Sequence, residues 1–167
     1  MQNNDIIENL ISLYGNDVLR IATAYTRSST ISEDIFQEVF IKVARNIDKF
    51  ENRSTEKTWI IRITINTCKD FLKSSWNKKV ILLENIRANG ANHSEDTILK
   101  NEKNSIIIQE ILKLPEKYKE VILLYYYQDL LTADIAKILN IKEASVRTRL
   151  KRAREIIKDK LKIILED

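Results

Sequence analysis

One cysteine, one histidine, one proline and two glycines are all that 167 residues supply of these four types. A single cysteine permits no intramolecular disulfide, and Cys68 and His93 cannot between them form a metal-holding cluster. Cys68 is expected as a small buried hydrophobe, since no nearby histidine could activate it as a nucleophile. Scarcity of proline and glycine removes the residues that break helices. No apolar run approaches membrane length, and the start, Met1 to Asp5, lacks the cationic and apolar regions of a signal peptide. A cytoplasmic protein is therefore expected. There is no glycine-rich phosphate loop, and the acids fall at helix-surface spacing rather than in a catalytic pair, so neither an enzyme nor a cofactor is expected.

What remains is rich in isoleucine, leucine, lysine and glutamate. Because isoleucine also favours strands, periodicity has to decide the fold class. Leu10, Tyr14, Val18, Ile21, Ala22 and Tyr25 recur at steps of three and four, which predicts a helix over 5–27 with one buried stripe. Thr30 and Glu33 form a capping box for a second helix, running to about residue 49. A polar stretch at 51–56 interrupts the pattern, and a helix follows from Thr58 to about Trp76. Over 77–103 the amphipathic pattern dissolves into a linker, with room for a short helix near 96–103. Further helices are expected at 105–114 and 116–127, separated by Pro115. Three consecutive tyrosines, Tyr125 to Tyr127, cannot share one helical face, so at least one should be exposed. The expected architecture is all-α: two small helical domains, 1–76 and 104–167, joined by a flexible linker.

Charge sharpens the second domain. Residues 142–162 carry nine Lys/Arg against three acids, a local +6 in a chain of net charge +4, so the remainder sums to −2. Such a local surplus suits a phosphate backbone. It falls on a helix-turn-helix pattern, Thr132 through Ile141 with Asn140 at the turn, then Lys142 through Arg154. Asparagine is the best substitute for glycine where a left-handed residue is needed. On a helical wheel Val146, Leu150, Ala153 and Ile157 form the buried face, and Thr148, Lys151, Arg152 and Glu155 lie opposite. Arg147, Arg149 and Arg154 flank them, placed for phosphates.

The same wheel applied to the second helix puts Ile35, Phe36, Val39, Phe40, Val43 and Ile47 on one face. The other face holds Asp34, Gln37, Glu38, Arg45 and, unexpectedly, Ile41. An apolar residue ringed by charged groups is how a docking patch looks, although one exposed isoleucine is also ordinary.

These motifs together resemble the extracytoplasmic-function sigma factors of the sigma-70 family of bacterial RNA polymerase. The resemblance is carried by Asp34 through Val43, Phe50, Thr58 through Ile63 with Asn66, Leu114 through Val121, Ile135-Ala136, and Val146 through Arg154. It implies that Asp34, Gln37, Glu38 and Ile41 dock on the beta-prime coiled coil of core RNA polymerase. It implies that Asn46, Phe50 and Asn66 receive a flipped base of the minus-ten element, with Arg62, Lys69 and Lys73 on the strand's phosphates. A melted base offers both a stacking face and a free pairing edge. Phe50 is open to either a core or a base-reading role, whereas Trp59 is expected in the core. Arg147, Thr148, Lys151 and Arg152 match positions that contact the minus-thirty-five element, with Arg149 and Arg154 on phosphates, and the helix at 116–127 matches a beta-flap contact. An anti-sigma factor is a further implied partner. The chain departs from the pattern at Glu51-Asn52, where a basic residue and glycine are common, and at Ala144-Ser145, where Gly-Thr is frequent. Glu51 would repel phosphate if it faced the strand. An extended linker of about 27 residues would reach roughly 90 Å, more than two turns of DNA at ~34 Å per turn. The alternative function is a stand-alone helix-turn-helix regulator of duplex operators.

Overall fold

The computed structural model describes residues 2–74 and 102–166. Among these residues there are seven α-helices and no strand, so the all-α expectation holds. The chain divides into two compact units, Met1–Asn92 and His93–Asp167. The expected linker at 77–103 lies outside the described residues as far as 101, as do the proposed end of a helix at Trp76 and most of the short helix near 96–103. Glu102 and Lys103, where a short helix has room in that linker, are helical and open a helix that runs to Leu112.

In the first unit α1 spans Gln2–Thr26, α2 spans Ser29–Asn46 and α3 spans Glu56–Lys73, with a single 3-10 turn, Ile47–Lys49, after α2. Leu10, Val18, Ile21, Ala22 and Tyr25 of α1 are buried as the spacing requires, while Tyr14 is only half-buried. They meet Ile35, Val39, Phe40 and Val43 of α2 and Ile60, Ile61, Ile65 and Cys68 of α3. Gly15 permits the close approach of α1 to α2: a Cβ there would lie 3.2 Å from the Phe36 ring. Burial pushes the Cys68 thiol up to about 12, so it stays protonated and serves as packing.

The corner between α1 and α2 corrects the expected capping box. Ser28, not Thr30, caps α2, its Oγ accepting from Ile31 N at 3.2 Å. Arg27 adopts φ 54° to turn the chain. Thr26 Oγ1 donates to Ala22 O at 3.0 Å, and Ser32 Oγ donates to Ser28 O at 2.5 Å, which satisfies this buried corner. Thr30 therefore lies inside the helix and faces solvent. At the start of α3, Thr55 accepts from Thr58 N at 3.1 Å, a side-chain cap of the usual kind.

In the second unit α4 spans Glu102–Leu112 and α5 spans Glu116–Ile122. The helix expected to run to Tyr127 widens into a π-helical turn, Leu123–Tyr127, closed by Leu130 N donating to Leu124 O at 3.2 Å. Widening rotates the tyrosines relative to a regular helix: Tyr126 and Tyr127 are exposed and Tyr125 is half-buried. Next come α6, Thr132–Leu139, and α7, Glu143–Glu166. Asn140 adopts φ 53°, ψ 49° and its N–H donates to Ala136 O, as does Ile141 N at 3.0 Å. These bonds close α6 and redirect the chain into α7. Val146, Leu150 and Ala153 of α7 are buried against Ile135, Ala136, Ile138, Val121 and Leu124, while Ile157 is half-buried.

Because alanine resists the left-handed conformation, Asn140→Ala should destabilise the protein by about 1–2 kcal/mol and Asn140→Gly should not. Urea denaturation monitored by circular dichroism checks this, and equal stability of the two variants would contradict it.

Candidate nucleic-acid interfaces

Two surfaces arise in the first unit because α2 and α3 each bury one stripe. On α2, Asp34, Gln37, Glu38, Ile41 and Arg45 all face solvent, with Ile41 44% exposed. The arrangement is the one outlined by the wheel, and Glu38 additionally makes an i,i+4 pair with Lys42 at 3.7 Å.

Around the far end of α2 lies a surface cavity of about 330 Å³. Lys42 and Asn46 enter it from α2, Lys49 from the 3-10 turn, and Trp59, Ile63, Asn66 and Thr67 from one face of α3. Its walls are held by hydrogen bonds. Lys42 Nζ donates to Thr67 Oγ1 at 3.1 Å, Thr67 Oγ1 donates to Ile63 O at 2.8 Å, and Asn46 Nδ2 donates to Lys42 O at 2.8 Å. An indole, two amides and two ammonium groups thus line one site, an aromatic ring beside hydrogen-bonding groups.

Trp59 was expected in the core, and it is instead half-exposed and lines this cavity. The reason is that Ile60 and Ile61 take the buried positions, which turns Trp59 to the rim. Phe50 does not line the cavity. Its ring packs on Trp59 with centroids 4.9 Å apart and planes at 30°, so it braces the indole. Of Asn46, Phe50 and Asn66, the structure thus brings the two asparagines together. Lys42, Lys49 and Thr67 were not singled out from sequence, although their spacing from Asn46 and Trp59 places them on the same helix faces. Arg62, Lys69 and Lys73 follow one edge of the cavity face of α3, within about 80° of Trp59 at 100° per residue. Lys73 pairs with Asp70 at 3.7 Å, and Arg62 Nε is buried without a hydrogen-bond partner.

The loop that departs from the expected pattern compensates locally. Glu51 pairs with Arg53 at 2.5 Å, so its charge is offset within the loop. Asn52 adopts φ 52°, a conformation glycine takes freely and asparagine tolerates.

On α7 of the second unit Arg147, Thr148, Lys151 and Arg152 are exposed on one side, and Arg149 is half-buried. Thr148 Oγ1 donates to Ala144 O at 3.0 Å, and Arg152 Nη1 donates to Glu155 Oε2 at 3.2 Å. Glu143 Oε1 accepts from Thr132 Oγ1 at 2.6 Å and from Arg147 Nη2 at 2.8 Å. These two bonds, the Thr132 one first, hold the Glu143 carboxyl below the usual carboxylate range. Arg154 is engaged on the π-helical turn: its Nε donates to Tyr126 Oη at 2.8 Å, and its guanidinium lies 5.6 Å from the Tyr126 ring centroid and 5.7 Å from that of Tyr125. Tyr126, Tyr127 and Leu131 are each exposed, Leu131 to 71%.

Comparisons with known proteins agree with the division into units. The family model for sigma-70 region 2 matches residues 10–78, and that for sigma-70 region 4 matches residues 105–157. The ECF RNA polymerase sigma factor SigW of Bacillus subtilis is 30% identical over 169 residues, covering 95% of this chain and 90% of the relative. The ECF RNA polymerase sigma-E factor of Haemophilus influenzae is 32% identical over 166 residues, covering 93% of this chain and 87% of the relative. Among solved structures, the sigma factor RpoE in complex with the anti-sigma factor NepR from Bartonella quintana shares the fold. Its TM-score is 0.70 at 19% identity, with 93% of this chain and 96% of that chain covered.

The Arg154–tyrosine contact should stabilise the second unit. Tyr126→Phe and Arg154→Met are each expected to lower unfolding free energy by about 1 kcal/mol. A double-mutant cycle in urea checks it, and strictly additive losses would show that the two side chains do not interact.

Proposed function

The chain belongs to the extracytoplasmic-function sigma factors of the sigma-70 family, and from that membership we propose how its surfaces divide the work of promoter-specific transcription initiation. The exposed face of α2, with Asp34, Gln37, Glu38 and Ile41, docks on the beta-prime coiled coil of core RNA polymerase. The cavity at the end of α2 receives a base flipped from the non-template strand of the minus-ten element. Trp59, braced by Phe50, supplies the stacking face, and Asn46, Asn66 and Lys42 supply groups for the base edge. Arg62, Lys69 and Lys73 hold the strand that leads to it. In the second unit Arg147, Thr148, Lys151 and Arg152 read the minus-thirty-five element in the major groove, with Arg149 on phosphate. Arg154 steadies the recognition helix through Tyr126, leaving its remaining donors for phosphate, and Tyr126, Tyr127 and Leu131 meet the beta flap. No chemical step is required of the protein itself, which selects the promoter and stabilises its melted form.

The cavity is the observation that carries this division. A regulator reading only duplex operators has no use for a site shaped to take a single planar ring, on a unit separate from its helix-turn-helix. The working compartment is the cytoplasm, where polymerase acts; among the described residues no helix is long and apolar enough to cross a membrane. Control by an anti-sigma factor, as in the Bartonella complex, follows from the exposed α2 face, which such an inhibitor would cover.

Two experiments test the division. Asp34→Ala with Glu38→Ala should abolish binding to core polymerase while leaving the circular dichroism spectrum native, and undiminished core affinity would reject the docking face. Trp59→Ala in the reconstituted holoenzyme should weaken binding of a single-stranded minus-ten fragment by about 1–3 kcal/mol. Tight, sequence-specific binding of duplex by the isolated chain, with no effect of Trp59→Ala, would favour the stand-alone regulator.

A further inference from the structure

At the start of α7 one carboxylate oxygen ties together three parts of the helix-turn-helix. Glu143 Oε1 accepts from Thr132 Oγ1, at the first residue of α6, and from Arg147 Nη2, one turn further along α7. An isolated exposed i,i+4 ion pair would fix little, because both side chains remain free to move and water screens them. This pair differs in that the acidic partner is itself anchored from another helix by a short hydrogen bond of 2.6 Å. The lowered pKa of Glu143 agrees with a carboxylate held in its charged form by both donors, Thr132 first.

Stoichiometry of donors then matters. A guanidinium carries five N–H donors in a planar fork, and the contact with Glu143 occupies only one nitrogen of Arg147. The side chain is 70% exposed, so the rest of the fork stays open to a ligand. A long flexible side chain that must lie in one plane to meet a base edge loses rotamer entropy on binding, and a partner that orients it beforehand removes part of that loss.

We propose that Glu143 is a positioning residue for promoter recognition: anchored by Thr132, it aims the Arg147 guanidinium at the minus-thirty-five element. Glu143 does not itself touch the base. The inference rests on the assignment of α7 as the reader of that element, and it makes α6 a participant in sequence choice through Thr132.

The test uses holoenzyme reconstituted from the full chain and core polymerase, with a promoter selected from a random library by the wild-type holoenzyme. Binding is compared between that promoter and copies carrying single-base changes across the minus-thirty-five element. Glu143→Ala should lower the preference for the selected base at one position by about five- to tenfold. Thr132→Val should lower it at the same position, and Glu143→Gln, which keeps the accepting oxygen, should retain most of it. In an Arg147→Ala background, already lacking preference there, Glu143→Ala should change nothing further. A uniform loss across all promoter copies would mark Glu143 as merely structural and overturn the proposal. A further loss of preference in the Arg147→Ala background would show Glu143 reading DNA directly, which also overturns it. If Arg147→Ala removes the preference and neither Glu143→Ala nor Thr132→Val alters it, the positioning role falls and the assignment of α7 stands. If Arg147→Ala leaves every preference intact, the assignment of Arg147 as a reader falls, and the positioning role with it.

Discussion

Everything the first unit presents to its surroundings depends on how far α2 and α3 are rotated about their own axes, and buried β-branched side chains set that rotation. Ile35, Val39 and Val43 on α2 and Ile60, Ile61 and Ile65 on α3 are each at most 2% exposed. Branched side chains keep few rotamers in a helix, so they interlock in a small number of ways. A turn of about 100° in either helix would bring a charged or amide residue into the core. With that rotation fixed, Lys42 and Asn46 face Trp59 and Asn66, while Asp34, Glu38 and Ile41 face away from the same core. The exposed face of α2 and the cavity are thus two outcomes of one packing arrangement.

The second unit obeys the same logic with a different clamp. Val146, Leu150 and Ala153 seat α7, and the left-handed Asn140 sets its departure from α6. The polar groups then divide by where they sit on the helix. Arg154, near the edge of the buried stripe, turns toward Tyr126 and reinforces the packing. Arg147, about 20° round the helix from Arg154 but two turns nearer its start, bonds Glu143 instead, and Lys151 and Arg152 lie farther round. A cation's sign says little about its partners here, since Arg154 bonds a tyrosine while Arg147 and Arg152 pair with acids.

Much of this was legible in the chain because the signals were periodic. The stripes of α1, α2 and α7, the turn at Asn140 and the exposed Ile41 all follow from spacing and from the chemistry of single residues. The misplaced features are those decided by non-local geometry. Ser28 outcompeted Thr30 as a cap because Thr26 and Ser32 complete a buried hydrogen-bonded corner around it, which no local motif announces. Trp59 departs from the core position expected for it because two adjacent isoleucines, Ile60 and Ile61, already fill that side of α3. The π-helical turn had no sequence signal beyond three tyrosines that could not all be accommodated. Lys42 and Thr67 lie 25 residues apart, and only the packing of α2 on α3 makes them a hydrogen-bonded pair.

Charge on the recognition helix is less free than composition suggests. Residues 142–162 sum to +6, yet two of the exposed arginines, Arg147 and Arg152, lie against Glu143 and Glu155. Non-specific DNA affinity grows with the number of phosphates neutralised, so acids interleaved among the cations weaken attachment to arbitrary duplex. They do so while engaging only part of each guanidinium's donor fork. For a helix that reads promoter bases, this arrangement favours discrimination over adhesion, and a second point of attachment then raises affinity. On the proposed function that second point is polymerase together with the cavity of the first unit. Linking two weak sites raises the effective concentration of each for its target, provided both can be engaged at once. Modest affinity at each site is then what makes simultaneous engagement, and hence a promoter with both elements, the condition for binding.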